Sequence, residues 1–149
     1  MKYKIRNAKF KDSDFIKDIY KTEKKHLGSF NLYQCWDNYI NKKSKEKFWV
    51  VFVENVTPID YNIEIKLTGF VRFGWSKKFN SYILQDIGVN EKYKRKGVGK
   101  FILEKLPRPL VLKCNVDNTT GNNFYKSFGM TLNGTTQTKK GVKQNVWSI

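Results

Sequence analysis

The chain has 149 residues, with 29 Lys and Arg against 13 Asp and Glu, one His, two Cys and a formal net charge of +16. That length suits one domain, 1–149, with a core of its own, while no apolar run approaches the ~20 residues of a membrane span and no secretory n-region and h-region stands at Met1, so a cytoplasmic protein with no membrane partner is expected. Cys35, Cys114 and His26 have no ligand spacing and are too few for a zinc site or a Ser-His-Asp triad, so no metal is expected and the cysteines read as free small hydrophobes.

Tyr3 to Phe10 alternates as a strand, with Tyr3, Ile5 and Asn7 on one face. Asp12 or Ser13 then caps a helix whose apolar stripe is Phe15, Ile16, Ile19 and Tyr20. His26 reads as solvating or capping a helix end, and Gly28 as a break. Leu32, Tyr33, Trp36, Tyr39 and Ile40 recur at helical spacing, which favours core packing. Phe48 to Val53 reads as a buried strand ending at Glu54, followed by a turn over Thr57-Pro58-Ile59-Asp60.

Leu67 to Trp75 and Tyr82 to Val89 continue the sheet around a polar turn at Ser76 to Ser81. Gly88 inside the second of these marks a bulge or a close backbone approach. Val98, Phe101, Ile102 and Leu106 form the inward stripe of a helix that Pro107-Arg108-Pro109 stops. Leu110 to Val116 is the next strand, and Thr119 to Phe128 a helix with Gly121, Phe124, Tyr125 and Phe128 on one side. Met130 to Thr138 and Lys143 to Ile149 close the chain as an antiparallel pair turning near Lys139-Lys140-Gly141. The class is mixed α/β (α+β).

The stretch from Val89 to Leu103 carries the most chemistry, because a strand runs into a basic, glycine-punctuated turn that opens a helix. Glycines let the backbone approach a phosphate, and the N–H groups and dipole of a helix start favour negative charge. Lys92, Lys94, Arg95, Lys96 and Lys100 add cations. A nucleotide-triphosphate loop needs Gly at 94 and Ser or Thr at 101, where Lys94 and Phe101 stand. The dinucleotide fingerprint needs Gly at 102, where Ile102 stands.

What remains, Lys94-x-x-Gly97-x-Gly99 after a strand ending in Val89, resembles the acetyl-coenzyme A loop of the GCN5-related N-acetyltransferases (GNAT), with Lys94 in the place of their Gln or Arg. Asn118-Thr119-Thr120-Gly121-Asn122-Asn123-Phe124-Tyr125-Lys126-Ser127-Phe128-Gly129-Met130 is similar to the family's Asn-x-x-Ala-x-x-Phe-Tyr-x-x-x-Gly-Phe segment, with Gly121 for Ala and Met130 for Phe. The likeness covers the C-terminal half in detail and the first half in its order of elements.

The resemblance implies a single-domain acyl-CoA N-acyltransferase fold, a mixed sheet of six to seven strands with four helices and a V-shaped cleft for acetyl-CoA. It implies that Lys94, Arg95, Lys96, Gly97, Val98, Gly99 and Lys100 surround the pyrophosphate, and that Ile87, Gly88 and Val89 offer backbone to the pantetheine amide and acetyl carbonyl. It makes Asp86 the candidate general base, with Glu54 second and a turn-bracing carboxylate the plainer role. Tyr125 would protonate the leaving thiolate, Asn118 would cap its helix and bind the pantetheine arm, and Phe124 would pack on the cofactor or the core. Trp36 or Tyr33 would line the acceptor pocket if not simply core.

The implied reaction moves an acetyl group from acetyl-CoA to a primary amine of an unidentified small molecule or protein. A net charge of +16 keeps open a nucleic acid or aminoacyl-tRNA as acceptor, and the departures at Lys94 and Gly121 keep open a non-catalytic acyl-CoA binding module. Monomer and homodimer are both compatible with the sequence.

Overall fold

The computed structural model describes residues 1–23 and 31–149; His26 and Gly28 lie outside the described residues. Along the chain run β1 (Lys4–Asn7), α1 (Ser13–Glu23), α2 (Leu32–Ile40), β2 (Lys47–Val56), β3 (Ile63–Ser76), β4 (Ser81–Val89), α3 (Val98–Lys105), β5 (Leu110–Asn115), α4 (Thr119–Phe128), β6 (Thr131–Gln137) and β7 (Lys143–Ser148). The strands form a mixed sheet in the order β1-β2-β3-β4-β5-β7-β6. Element order and type agree with the sequence reading. Among the described residues no helix is long and apolar enough to cross a membrane.

The differences lie at element ends. β1 stops at Asn7 instead of Phe10, because Phe10–Asp12 wind into a 3-10 turn. Asp12 does not cap α1: its carboxylate accepts the Lys9 N–H at 2.7 Å and the Arg6 guanidinium at 2.7 and 2.8 Å. Ser13 Oγ donates to Phe10 O at 2.5 Å and accepts from Trp36 Nε1 at 3.0 Å. β2 and β3 both run past their expected limits into an exposed hairpin, closed by Thr57 N–H donating to Asn62 O at 3.0 Å. Exposed strand residues lack the apolar run by which the buried part was read.

The chain forms two compact units, residues 1–72 with 86–105, and residues 73–85 with 106–149. In the first, Ile16 and Ile19 of α1 and Trp36 of α2 pack with Phe48, Val50 and Phe70 of the sheet. Trp36 meets Phe48 edge-on at 5.2 Å and is 1% exposed, so it belongs to the core, whereas Tyr33 stays partly open. β1 pairs antiparallel with β2 from Lys4–Phe52 to Asn7–Trp49.

In the second unit β4 pairs with β5 in parallel from Tyr82–Leu110 to Leu84–Leu112, and β7 pairs antiparallel with both β5 and β6. Asn122 ties α4 to this sheet. Its Nδ2 donates to Asn115 O and Asn118 O at 2.9 Å, and its Oδ1 accepts from Asn145 Nδ2 at 3.0 Å and Trp147 Nε1 at 2.9 Å. A half-buried amide satisfied on both ends costs little and fixes the helix on its strands.

Candidate functional site

In the first unit the turn from β4 to α3 carries two left-handed residues ahead of the helix. Asn90 N–H donates to Thr68 O at 2.8 Å, and Asn90 Oδ1 accepts from Lys92 N at 3.1 Å, which sets the path off β4. Arg95 (φ +62°) and Gly97 (φ +84°) are left-handed, and Phe101 N–H donating to Gly97 O at 3.0 Å begins the helical bonding of α3. A Cβ on Gly97 would meet nothing within 4 Å, so the backbone angle demands glycine there and the space above it is open. Val98 is buried as the anchor, while Arg95, Lys96 and Lys100 are exposed around the open face.

Two contacts at this loop had no counterpart in the sequence reading. The Tyr3 hydroxyl donates to Lys96 O at 2.6 Å, and its ring lies 5.7 Å from that of Phe101, so the N-terminus braces the turn. Lys94, in the motif's first position, is ion-paired to Glu23 of α1 and to Glu91 at 3.1 Å. The Glu23 hydrogen bond, above all, raises the Lys94 pKa.

On β4, Asp86 and Gly88 share one face and the less buried Ile87 and Val89 the other. The reason for glycine at 88 is packing: a Cβ there would fall 2.6 Å from both Ile19 Cγ2 and the Phe70 ring. Gly69 answers it on β3, where a Cβ would lie 2.8 Å from Gly88 O. Asp86 is 5% exposed and accepts from Arg72 Nε at 2.6 Å; Arg72 Nη1 reaches both Glu46 oxygens at 2.9 and 2.7 Å. Burial raises the Asp86 pKa, with Arg72 opposing it. A basic residue set within the apolar run Phe70-Val71-Arg72-Phe73 was the available sequence signal for this network. Glu54, the other candidate base, pairs with Lys4 at 3.0 Å and is partly exposed.

Beside the end of β4 lies a cleft of about 200 Å³ between α1 and residues Val89 to Glu91. Its apolar floor is Phe15, Ile19 and Val89, and Asp18, Glu23 and Glu91 bring carboxylates to it in an otherwise strongly basic chain. With only Lys94 answering Glu23 and Glu91 among the ion pairs of the described residues, the cleft favours a cation.

In the second unit Asn118 caps α4, its Oδ1 accepting from Gly121 N at 3.0 Å, and Gly129 ends the helix in the left-handed conformation. Tyr125 and Phe124 are half-buried with ring centroids 5.3 Å apart. Burial, then the neighbouring Cys114, raises the Tyr125 phenol well above its usual pKa, so it holds its proton through neutral pH. Burial also pushes the Cys114 thiol up to about 11, with Asp117 adding to it. Gly121 stands where a methyl would meet Asn118 Nδ2 at 2.7 Å and Cys114 Sγ at 3.1 Å.

Residues 13–130 match the model of the acetyltransferase (GNAT) family. No curated protein matches the chain. Among solved structures, Arabidopsis thaliana NAA60 in complex with acetyl-CoA is 14% identical, with 99% of this chain and 98% of that one covered at a TM-score of 0.72. The aminoglycoside N(6')acetyltransferase of Legionella pneumophila is 12% identical, covering 100% and 93% at 0.74. Spermidine/spermine N-acetyltransferase SpeG of Vibrio cholerae is 15% identical, covering 99% and 91% at 0.66. At these identities the likeness is one of fold.

Proposed function

The chain belongs to the acetyltransferase (GNAT) family, and from that premise we propose that it moves the acetyl group of acetyl-CoA to a primary amine of a small-molecule or protein acceptor by direct attack. The observation that carries this reading is Gly97, whose left-handed backbone lies under open space immediately before α3. Arg95, Lys96, Gly97, Val98, Gly99 and Lys100 are proposed to hold the pyrophosphate by backbone amides, helix dipole and side-chain charge. Lys94 contributes by holding the turn to Glu23 and Glu91.

Ile87, Gly88 and Val89 are proposed to offer backbone groups to the pantetheine arm and to the carbonyl oxygen as it gains charge. Gly88, clamped by Ile19 and Phe70, keeps that backbone fixed. Asp86 is the proposed proton acceptor for the incoming ammonium, acting through water because its carboxylate is enclosed and held by Arg72, with burial raising its pKa; Glu54 is the second candidate. Tyr125 is the proposed donor to the departing thiolate, supported by a phenol that burial keeps protonated. Asn118 and Phe124 are proposed to flank the pantetheine arm.

The carboxylates of the cleft beside α1 support an amine that arrives as a cation, in keeping with relatives named for spermidine and aminoglycosides. The test is thiol release from acetyl-CoA across polyamines, aminoglycosides, amino acids, peptides and charged tRNA, alongside calorimetry of acetyl-CoA binding. Binding with release in at least one amine class is expected; a chain that does neither overturns the reading. The net charge of +16 favours a second reading, with nucleic acid or aminoacyl-tRNA as acceptor. It requires retention on tRNA that falls steeply with added salt.

A further inference from the structure

The second unit carries almost no negative charge. Residues 73–85 and 106–149 hold eight Lys and Arg against a single acidic residue, Asp117. α4 covers the sheet face of Cys114 and Trp147, since Gly121 lies against Cys114 and Asn122 bonds Trp147. Strand alternation turns Val111, Lys113, Val146 and Ser148 to the opposite face, where they pair as Val111–Ser148 and Lys113–Val146.

On that opposite face the unit has a cleft of about 390 Å³, within the roughly 300–1,000 Å³ of small-molecule sites. Phe79, Val111 and Val146 give it apolar lining, and Asn80, Asn133 and Ser148 add amides and a hydroxyl. Its walls are held in place. Leu110 and Ile149 exchange backbone bonds at 2.9 Å, Tyr82 N–H donates to Pro109 O at 2.9 Å, and Phe79 N–H donates to Ser76 Oγ at 3.3 Å. Apolar lining edged by amides suits the flat face and polar edge of an unpaired base.

Phe79 also gathers cations at the rim. Lys78 Nζ lies 5.5 Å and Lys113 Nζ 5.4 Å from its ring centroid, and neither ammonium pairs with a carboxylate among the described residues. Two ammoniums collected at one ring repel each other, and a phosphate shared between them relieves that repulsion. A duplex keeps its bases paired and stacked, and a lipid headgroup brings a phosphate without a flat ring for the cleft.

We propose that this cleft binds single-stranded nucleic acid, one base lodging beside Phe79, Val111 and Val146 with its phosphate on Lys78 and Lys113. Neighbouring phosphates meet a unit with one carboxylate to oppose them. Tyr125 stands on the α4 side of the sheet beside Cys114, so a strand held here is tethered and is not the acyl acceptor. The site is independent of the transfer reaction, and a failed acceptor screen leaves it untouched.

Fluorescence anisotropy of the full chain with a labelled oligouridylate about twelve nucleotides long tests it. Binding with a dissociation constant below about 10 µM at about 0.1 M sodium chloride is expected, with a duplex of equal length at least ~tenfold weaker. The double variant Lys78→Gln, Lys113→Gln changes exposed positions and should keep its circular dichroism while weakening the strand at least ~tenfold. It should also flatten the slope of log affinity against log salt by about 0.7, the value for one single-strand phosphate. Lys139→Gln, Lys140→Gln makes the same charge change in the β6–β7 turn and should weaken binding less than ~threefold. The proposal is overturned by absence of binding, by equal losses in the two double variants, by equal affinity for the duplex, or by uridine monophosphate competing as well as the unlabelled strand.

Discussion

Arg72 donates its Nε to Asp86 Oδ2 at 2.6 Å, and both side chains are 3% exposed. The second arm of the guanidinium holds Glu46, which is 30% exposed, so one cation serves a sealed carboxylate and a wetter one. Removing the cation leaves Asp86 buried without its partner. Arg72→Met should therefore cost about 3–5 kcal/mol in urea denaturation. Adding Asp86→Asn to that variant should recover part of the loss, because the two changes share one interaction. A cost under about 1 kcal/mol for Arg72→Met would show that the network contributes little to the fold.

Gly97→Val tests the loop. The position has room for a side chain, so the cost comes from the left-handed backbone, about 1–2 kcal/mol for a β-branched residue. The variant should stay folded, with a slightly lower melting temperature, and lose at least ~tenfold in acetyl-CoA affinity by calorimetry. Unchanged affinity would place the phosphate contacts elsewhere.

Tyr125→Phe removes the phenol while keeping the ring against Phe124. Turnover should fall ~10- to 100-fold with acetyl-CoA affinity nearly intact, as expected of a group that acts on the leaving thiolate alone. Equal turnover in the variant retires that role.

Asp12 gives a pH prediction. Burial pushes its pKa up, but the Arg6 hydrogen bonds and the Lys9 N–H outweigh burial and hold the carboxyl below its usual value. A depressed folded pKa contributes stability that is complete above the unfolded value, about 3.9, and is lost as pH falls through the folded one. Asp12→Asn should thus be about 1–3 kcal/mol less stable than wild type at neutral pH. The difference between their urea midpoints should shrink below about pH 4. A constant difference across that range would show that the ionised carboxylate is not what stabilises the turn.

The element order was legible because its signals are local: periodicity in α1, α2 and α4, apolar runs in β2 and β5, and Pro107 and Pro109 after α3. The loop at Gly97 was legible for the same reason, since glycine spacing reports backbone conformation directly. Arg72, Glu46, Glu23 and Tyr3 were not, because their partners lie 71 residues away along the chain for Glu23 and 93 for Tyr3, and only folding brings such groups together. A glycine inside a strand, as at Gly88, signals a bulge or a close approach, and the approaching atoms belong to Phe70 and Ile19.

Gly121 and Cys114 share one small volume: the helix gives up a methyl where the strand presents a sulfur 3.1 Å from its place. Substitution at either position alone meets resistance, Gly121→Ala from crowding and Cys114→Gly from a void. Removing the sulfur does not clear the place for Gly121→Ala, because the capping Asn118 Nδ2 still lies 2.7 Å from the added methyl. The residue that caps α4 therefore also fixes how small its first turn must be, so a side chain at 121 is admitted only at the expense of the cap.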